Sequence, residues 1–326
     1  MKIPSRPQRL RTNPAMRKLV AENSLQAQNL ILPLFVKEGA LSPTPIKNMK
    51  GVVQHTLNSL RHEIDRALES GIGGVMIFAI PAKRDERGSE ALNPQGILHM
   101  AVNQVREQVG EQLIVIADLC LDEFTSHGHC GVLDSLGEID NDATLEIYAQ
   151  MAVQLAGAGA HMLGTSGMMD GQVGAVRTAL DEAGFNKTSI LAYAAKYASA
   201  FYGPFRDAVD SQLTGDRKTY QQDPANIKES MREIRLDIEQ GADIIMVKPG
   251  MMYLDVVYAA SQFVELPIAS YIISGEMAMI EAAAEAGAIN REQAILEILL
   301  STQRAGAKII CTYWALEVAQ MLKVGK

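Results

Sequence analysis

The chain has 326 residues, 48% of them apolar, with 30 basic against 38 acidic side chains and a net charge of −8. That length suits a single α/β barrel with insertions. The acidic balance, with no basic stripe, argues against nucleic acid as the main partner, and three cysteines are too few for a disulfide framework.

Residues 1–28 are polar and carry Pro4, Pro7 and Pro14. They have no apolar core of the kind a signal peptide needs, and no uncharged apolar run further on is long enough to span a bilayer. The expectation is a cytoplasmic protein whose residues 1–28 form an N-terminal arm reaching a neighbouring subunit; the plainer alternative is a frayed tail. From residue 29 onward one unit repeats: a short apolar run, a polar or glycine-rich loop, then a segment of helical periodicity. The runs are Leu30–Val36, Gly74–Ile80, Leu113–Asp118, His161–Gly164, Ile190–Ala194, Ile244–Lys248, Ile268–Ile272 and Lys308–Thr312. They are apolar without strict alternation, as strands buried on both faces must be. Helices are expected near 60–70, 96–109, 253–263 and 313–322. Another should start at Asn141 or Asp142 and end near Gly157, and one capped by Asp170 should stop at Gly184. A helix opened by Asp223-Pro224 should close at Gly241, and a pair should break near Gly287.

Eight strands alternating with helices imply right-handed βαβ units and a (β/α)8 TIM barrel over 29–326. An open doubly wound sheet is the rival, but no GxGxxG or phosphate-binding loop follows any strand. The connection 197–222 is far longer than an ordinary βα loop, and its aromatic content predicts a folding lid.

In such barrels chemistry sits at the C-terminal ends of the strands. Asp118 and Cys120 stand there after strand three, Ser166 after strand four, Lys196 after strand five and Lys248 closing strand six. Ser274 follows strand seven and Tyr313 strand eight. A lysine ending an apolar run is desolvated, which lowers its pKa and frees an amine nucleophile. Two such lysines on neighbouring strands would depress each other further. Each taken alone could instead be a snorkelling side chain. The segment Cys120–Cys130 gathers thiols, carboxylates and imidazoles, and its donors Cys120, Asp122 and Cys130 suit a borderline ion such as zinc. A polar loop with incidental cysteines is the other reading. Arg206, Arg217 and Gln221 in the long connection could clamp a substrate carboxylate. Ser274 and Tyr313 offer hydroxyls for a second one.

Several stretches carry a resemblance: RPQRLR at 6–11, TSHGHCGVL at 125–133, NDATLE at 141–146, MDGQV at 169–173, KYASAFYGPFRDA at 196–208, GDRKTYQ at 215–221, MVKPG at 246–250 and SGEMAMI at 274–280. Over essentially its whole length the chain resembles the porphobilinogen synthase, or 5-aminolevulinate dehydratase, family. The resemblance implies a barrel with an N-terminal arm, assembled as a homo-octamer. It implies a lyase of tetrapyrrole (haem) biosynthesis that condenses two 5-aminolevulinate molecules into porphobilinogen with loss of two waters. By matching motif, Lys248 would hold the first substrate as an imine (a Schiff base), with Ser274 and Tyr313 on its carboxylate. Lys196 would hold the second, with Arg206, Arg217 and Gln221 on its carboxylate. Asp118 and Ser166 would contact the reacting ends, and Glu233 matches a position that binds an allosteric magnesium in some members.

The chain departs from the family pattern at several points. Asp122 stands where zinc-dependent members carry a middle cysteine, so the metal site is a hybrid. Thr165, Ile272 and Met277 are off-pattern near the barrel mouth. These departures leave room for a paralogue using a different amino ketone; a plain class I aldolase-type barrel with one imine lysine and a catalytically dead metal-responsive binding protein are the other readings, the last opposed by the intact lysine pair.

Overall fold

The computed structural model describes residues 5–324; Pro4 therefore lies outside the described residues. Eight parallel strands form the centre: β1 (Leu30–Lys37), β2 (Gly74–Ile80), β3 (Ile114–Leu119), β4 (Met162–Thr165), β5 (Ser189–Lys196), β6 (Ile244–Lys248), β7 (Ile268–Ile272) and β8 (Ile309–Thr312). Neighbours in sequence are neighbours in space, and β8 returns to β1 through the pairings Leu30↔Ile310 and Ile31↔Cys311. That closure makes the sheet a barrel and removes the open-sheet alternative. The strands are buried on both faces because side chains fill the barrel inside and helices cover it outside. A small antiparallel pair, Thr44–Pro45 with Val53–His55, lies beside the end of β1.

The helices begin where local chemistry satisfies their first amides. Thr56 and Ser59 form a reciprocal capping box for Leu57–Ser70, which ends on the left-handed Gly71. Asn290 caps Arg291–Ala305, so the expected break near Gly287 is real. Asn141–Gly157 starts and ends where expected, with Asp140 as its cap. Two helix starts differ from expectation. Asp170 caps nothing: its own amide is held by the Asn141 side chain, and Gly171 opens the helix Gln172–Glu182 in a left-handed conformation. Asp223 does not start a helix either. Its carboxylate accepts from Ala225 N and its carbonyl from Asn226 N, closing a turn, and the helix runs from Lys228 to Glu239.

The connection 197–222 is folded. It contains a 3-10 turn (Ala200–Tyr202) and a short helix (Gly203–Ala208), and its base is zipped to the barrel by Tyr197 N to Lys248 O and Gln222 N to Lys196 O. Between residues 5 and 28 there is a 3-10 turn (Pro7–Arg11) and a short helix (Pro14–Leu19), neither with a buried residue.

Candidate active site

The two lysines meet because of one irregularity. Along β5 and β6 the register runs Ala192↔Ile245, then Ala195↔Val247, so β5 carries one extra residue. Side chains alternate along a strand, so an inserted residue flips every later one to the other face. The bulge brings Lys196 opposite Lys248, both 5% exposed or less, at the floor of one cavity.

The two amines differ in charge. Lys248 Nζ lies within 5.7 Å of the ring centres of Tyr193, Tyr202, Phe205 and Tyr271, the nearest at 4.3 Å. Burial, then the neighbouring Lys196, push its pKa down to about 8, against the opposing charge of Asp118. Lys196 goes the other way. Burial works to lower it, but Cys130, Cys120 and Asp122 outweigh burial and hold the proton on; Nζ donates to Ser166 O at 2.6 Å. The expectation that both lysines are depressed is therefore corrected. Lys196 stands beside an anionic cluster, and that cluster was read in the sequence only as a metal loop.

Around the lysines the cavity is lined by Asp118, Asp122, Glu123, Ser166, Arg206, Arg217 and Gln221, with Tyr202 and Phe205. Ser166 Oγ donates to Asp118 Oδ2 at 3.1 Å. Burial first, then the charge on Asp122, raise the Asp118 carboxyl to about 7. Gln221 is buried with its amide nitrogen unpartnered among the described residues, and Arg206 lies exposed at the rim. Arg217 is already engaged: Nη2 donates to Asp122 Oδ2 and to Gly128 O, both at 2.8 Å. As a clamp for a substrate carboxylate it would have to exchange one of these partners.

Ser274 and Tyr313 are not on the cavity wall. Ser274 Oγ accepts from Phe205 N at 2.9 Å, and Tyr313 OH accepts from Tyr271 OH at 3.1 Å. Phe205 packs edge-on against Phe35 and Phe78, and Phe35 stacks on Tyr313. These rings form an aromatic plug that runs from Phe205 on the cavity wall through Phe35 to Tyr313. The cavity measures about 230 Å³, below the roughly 300–1,000 Å³ of ordinary ligand pockets.

Cys120, Asp122 and Cys130 are all buried, and one ligand atom from each lies within 4.8 Å of the others. It is the one grouping of three or more such side chains among the described residues. The donors fit a metal ion chemically. Asp122 is held well below the usual carboxylate range by Arg217 and Lys196 despite burial. Burial raises the Cys130 thiol, but the Cys120 hydrogen bond and Arg217 bring it down to about 7. Two sulfurs and a carboxylate are the donors a borderline ion takes, with a fourth position left for water or substrate. Glu233 lies elsewhere, half-buried on the helix Lys228–Glu239. It faces a groove shared with Asp170, Glu229 and Asp237, and burial and those first two acids raise its pKa.

Sequence reading missed several residues. Glu123 is buried, lines the cavity and has an Oε1 unpartnered among the described residues. Tyr148 OH donates to Cys130 O and comes within 3.8 Å of Cys120 Sγ. His129, an imidazole of the metal loop itself, pairs through Nδ1 with Tyr220 OH at 3.0 Å, a link the sequence did not show. Tyr193 and Tyr271 wall Lys248 from inside their strands. A hydroxyl-bearing ring within an apolar strand was the available signal, whereas attention to strand ends passed over it. The off-pattern Thr165, Ile272 and Met277 are buried but do not line the cavity.

Comparison with known proteins identifies the family. A family model described as "Delta-aminolevulinic acid dehydratase" covers residues 4–321. A delta-aminolevulinic acid dehydratase of Streptomyces coelicolor is 57% identical over 98% of the chain and 97% of its own length. The Escherichia coli protein of that name is 47% identical, with 97% of each chain covered. A crystal structure of delta-aminolevulinic acid dehydratase from Toxoplasma gondii, in complex with the reaction product porphobilinogen, superposes with a TM-score of 0.95 at 44% identity, covering 98% of this chain and 92% of that one. The chain belongs to the delta-aminolevulinic acid dehydratase family.

Proposed function

We propose that the two buried lysines carry the family's reaction, each through an imine. That reaction condenses two molecules of 5-aminolevulinate into porphobilinogen with loss of two waters, and the chain is the lyase that performs it. The observation that carries the residue assignment is the bulged register that sets Lys196 opposite Lys248 inside one cavity.

Lys248, with its pKa near 8, supplies the neutral amine that attacks the keto carbon of the first substrate; loss of water leaves the imine. Conversion to an imine makes that carbon more electrophilic and the adjacent C–H more acidic. The rings around Nζ exclude water, and their faces favour the cationic form of the imine. Lys196 takes the second substrate the same way. Its amine must first give up a proton, and the hydrogen-bonded Asp118–Ser166 pair stands next to it. Forming the carbon–carbon and carbon–nitrogen bonds then releases both lysines as free amines. Arg206 and Gln221, joined by Arg217 once it exchanges a partner, would hold one carboxylate. Ser274 and Tyr313 would hold the other after Phe205 withdraws. Fixing two reactants in one orientation is worth several kcal/mol on the order of effective-molarity effects.

Cys120, Asp122 and Cys130 would hold a zinc ion, which when bound supplies Lewis acidity beside the second substrate's amine. Residues 197–222 act as the lid of the site, and residues 1–28 as an arm between subunits of a homo-octamer. Glu233, among like-charged neighbours whose repulsion a cation relieves, is the place for an allosteric magnesium.

The direct test is purified protein with 5-aminolevulinate, read with Ehrlich reagent. A pyrrole is expected. No colour with zinc, magnesium or neither would reject the reading.

A further inference from the structure

Residues 198–221 supply most of the cavity wall, so movement of this segment widens the way in. Its base is fixed by backbone hydrogen bonds to β5 and β6, so any opening must occur at the far rim. There, three side chains from three other places in the fold converge on three consecutive residues, Ala208–Asp210. Lys37, the last residue of β1, donates from Nζ to Asp210 Oδ2 at 2.6 Å and to Gln54 Oε1 at 3.3 Å. Gln54, buried in the short strand beside β1, donates from Nε2 to Asp210 Oδ1 at 3.1 Å and to Ala208 O at 2.9 Å. Arg84, in the loop after β2, donates from Nη2 to Val209 O at 2.9 Å and from Nε to Glu123 O at 2.7 Å. Lys37, Asp210 and the Gln54 carboxamide thus form a closed ring of hydrogen bonds.

Asp210 also shapes the turn. Its φ is +49°, and Ser211 N reaches back to Arg206 O, ending the helix Gly203–Ala208 with a left-handed residue. That helix carries Arg206 toward the cavity and Phe205 into the aromatic plug. A shift at Asp210 therefore moves both the carboxylate clamp and the plug. The ring is built to release. Its ion pair is 35% and 37% exposed, so water can compete for it, whereas the other ion pair of the segment to the barrel loops, Arg217 to Asp122, is buried.

We propose that Lys37, Gln54 and Arg84 are positioning residues that latch the 203–212 segment closed over the cavity, with the Lys37–Asp210 pair as the contact that breaks to admit substrate. The role in turnover rests on the reading given under Proposed function; the latch itself does not.

The experiment compares intact wild-type protein with Lys37→Met, Asp210→Asn and Lys37→Arg. Asparagine tolerates the left-handed turn while removing the charge. Two readouts are taken. The first is the rate of limited tryptic cleavage after Arg217, whose guanidinium sits in a buried pair and is reached only when the segment opens; it does not depend on catalysis. The second is the steady-state KM and kcat for pyrrole formation. Lys37→Met and Asp210→Asn should each speed cleavage and raise KM about two- to fivefold, the span an exposed ion pair can supply. Turnover at saturation should stay within about twofold, the double variant should add little, and Lys37→Arg should return both readouts toward wild type. Cleavage and KM unchanged in both single variants, with near-ultraviolet circular dichroism showing them folded, would overturn the latch. So would a fall in kcat at constant KM. If the wild type forms no pyrrole but the variants are cut faster, the latch stands and the reaction assignment fails.

Discussion

At the level of single residues, Lys248 and Lys196 share a cavity but not a charge state. Lys248 faces Lys196, Asp118, Cys311 and Asp122, and the balance of burial and charge leaves it near 8. Only the neutral amine attacks a ketone, so imine formation at Lys248 should rise with pH through about 8 and fall as pH drops and the proton returns. Borohydride trapping at Lys248 measured from pH 6 to 9 checks this; a flat profile would count against a depressed amine. Replacing Asp122 by cysteine restores a third thiol, and zinc should then survive dialysis against a chelator better than in the wild type. Elemental analysis decides, and equal or poorer retention means that Asp122 is not a ligand. The lysines were legible because each ends an apolar run, and the metal donors because thiols and carboxylates cluster within Cys120–Cys130. The opposite shifts were not, because they depend on which anions face each amine, and that is fixed by strands distant in sequence.

At the level of elements, the eight strands were readable from burial on both faces, including the four-residue β4. Helix starts were less so. Asp170 and Asp223 have the chemistry of caps, but Asp170 meets the Asn141 side chain and Asp223 closes a turn on its own. The bulge in β5 left no trace in the composition of Ile190–Lys196, yet it decides which way Lys196 points. The connection 197–222 was expected to fold, and its aromatic residues do pack, but the plug made by Phe205 is a tertiary fact. One glycine tests how tightly this segment is held. A Cβ on Gly275 would run into the backbone carbonyl of Phe201. Gly275→Ala should therefore displace the base of the segment, raising KM and costing about 1–3 kcal/mol of stability. Denaturant melts and steady-state kinetics together check this, and wild-type values in both would show that the contact has slack.

For the whole molecule, strand count and helix alternation implied a closed barrel, and the pairing of β8 with β1 is that closure. Among the described residues no helix is long and apolar enough to cross a membrane. Assembly was not readable from periodicity, because residues 5–24 place no side chain in this subunit's own core. Leu10, Leu19 and Val20 lie exposed there, apolar groups that a neighbouring subunit would cover. If the proposed octamer depends on the arm, removing residues 1–24 should give smaller species while Leu25 and Ala27, which pack on the core, keep the barrel folded. Sedimentation velocity reads the first and circular dichroism the second; an unchanged sedimentation coefficient, once corrected for mass, would argue against an arm.

The account turns on two imines in one cavity, and trapping tests it most directly. The intact enzyme is mixed with 5-aminolevulinate, reduced with borohydride during turnover, digested and mapped by mass. The account predicts reduced adducts on peptides containing Lys248 and Lys196, with Lys248 modified ahead of Lys196 near neutral pH. A single modified lysine, together with full pyrrole formation by a Lys196→Met variant, would contradict it.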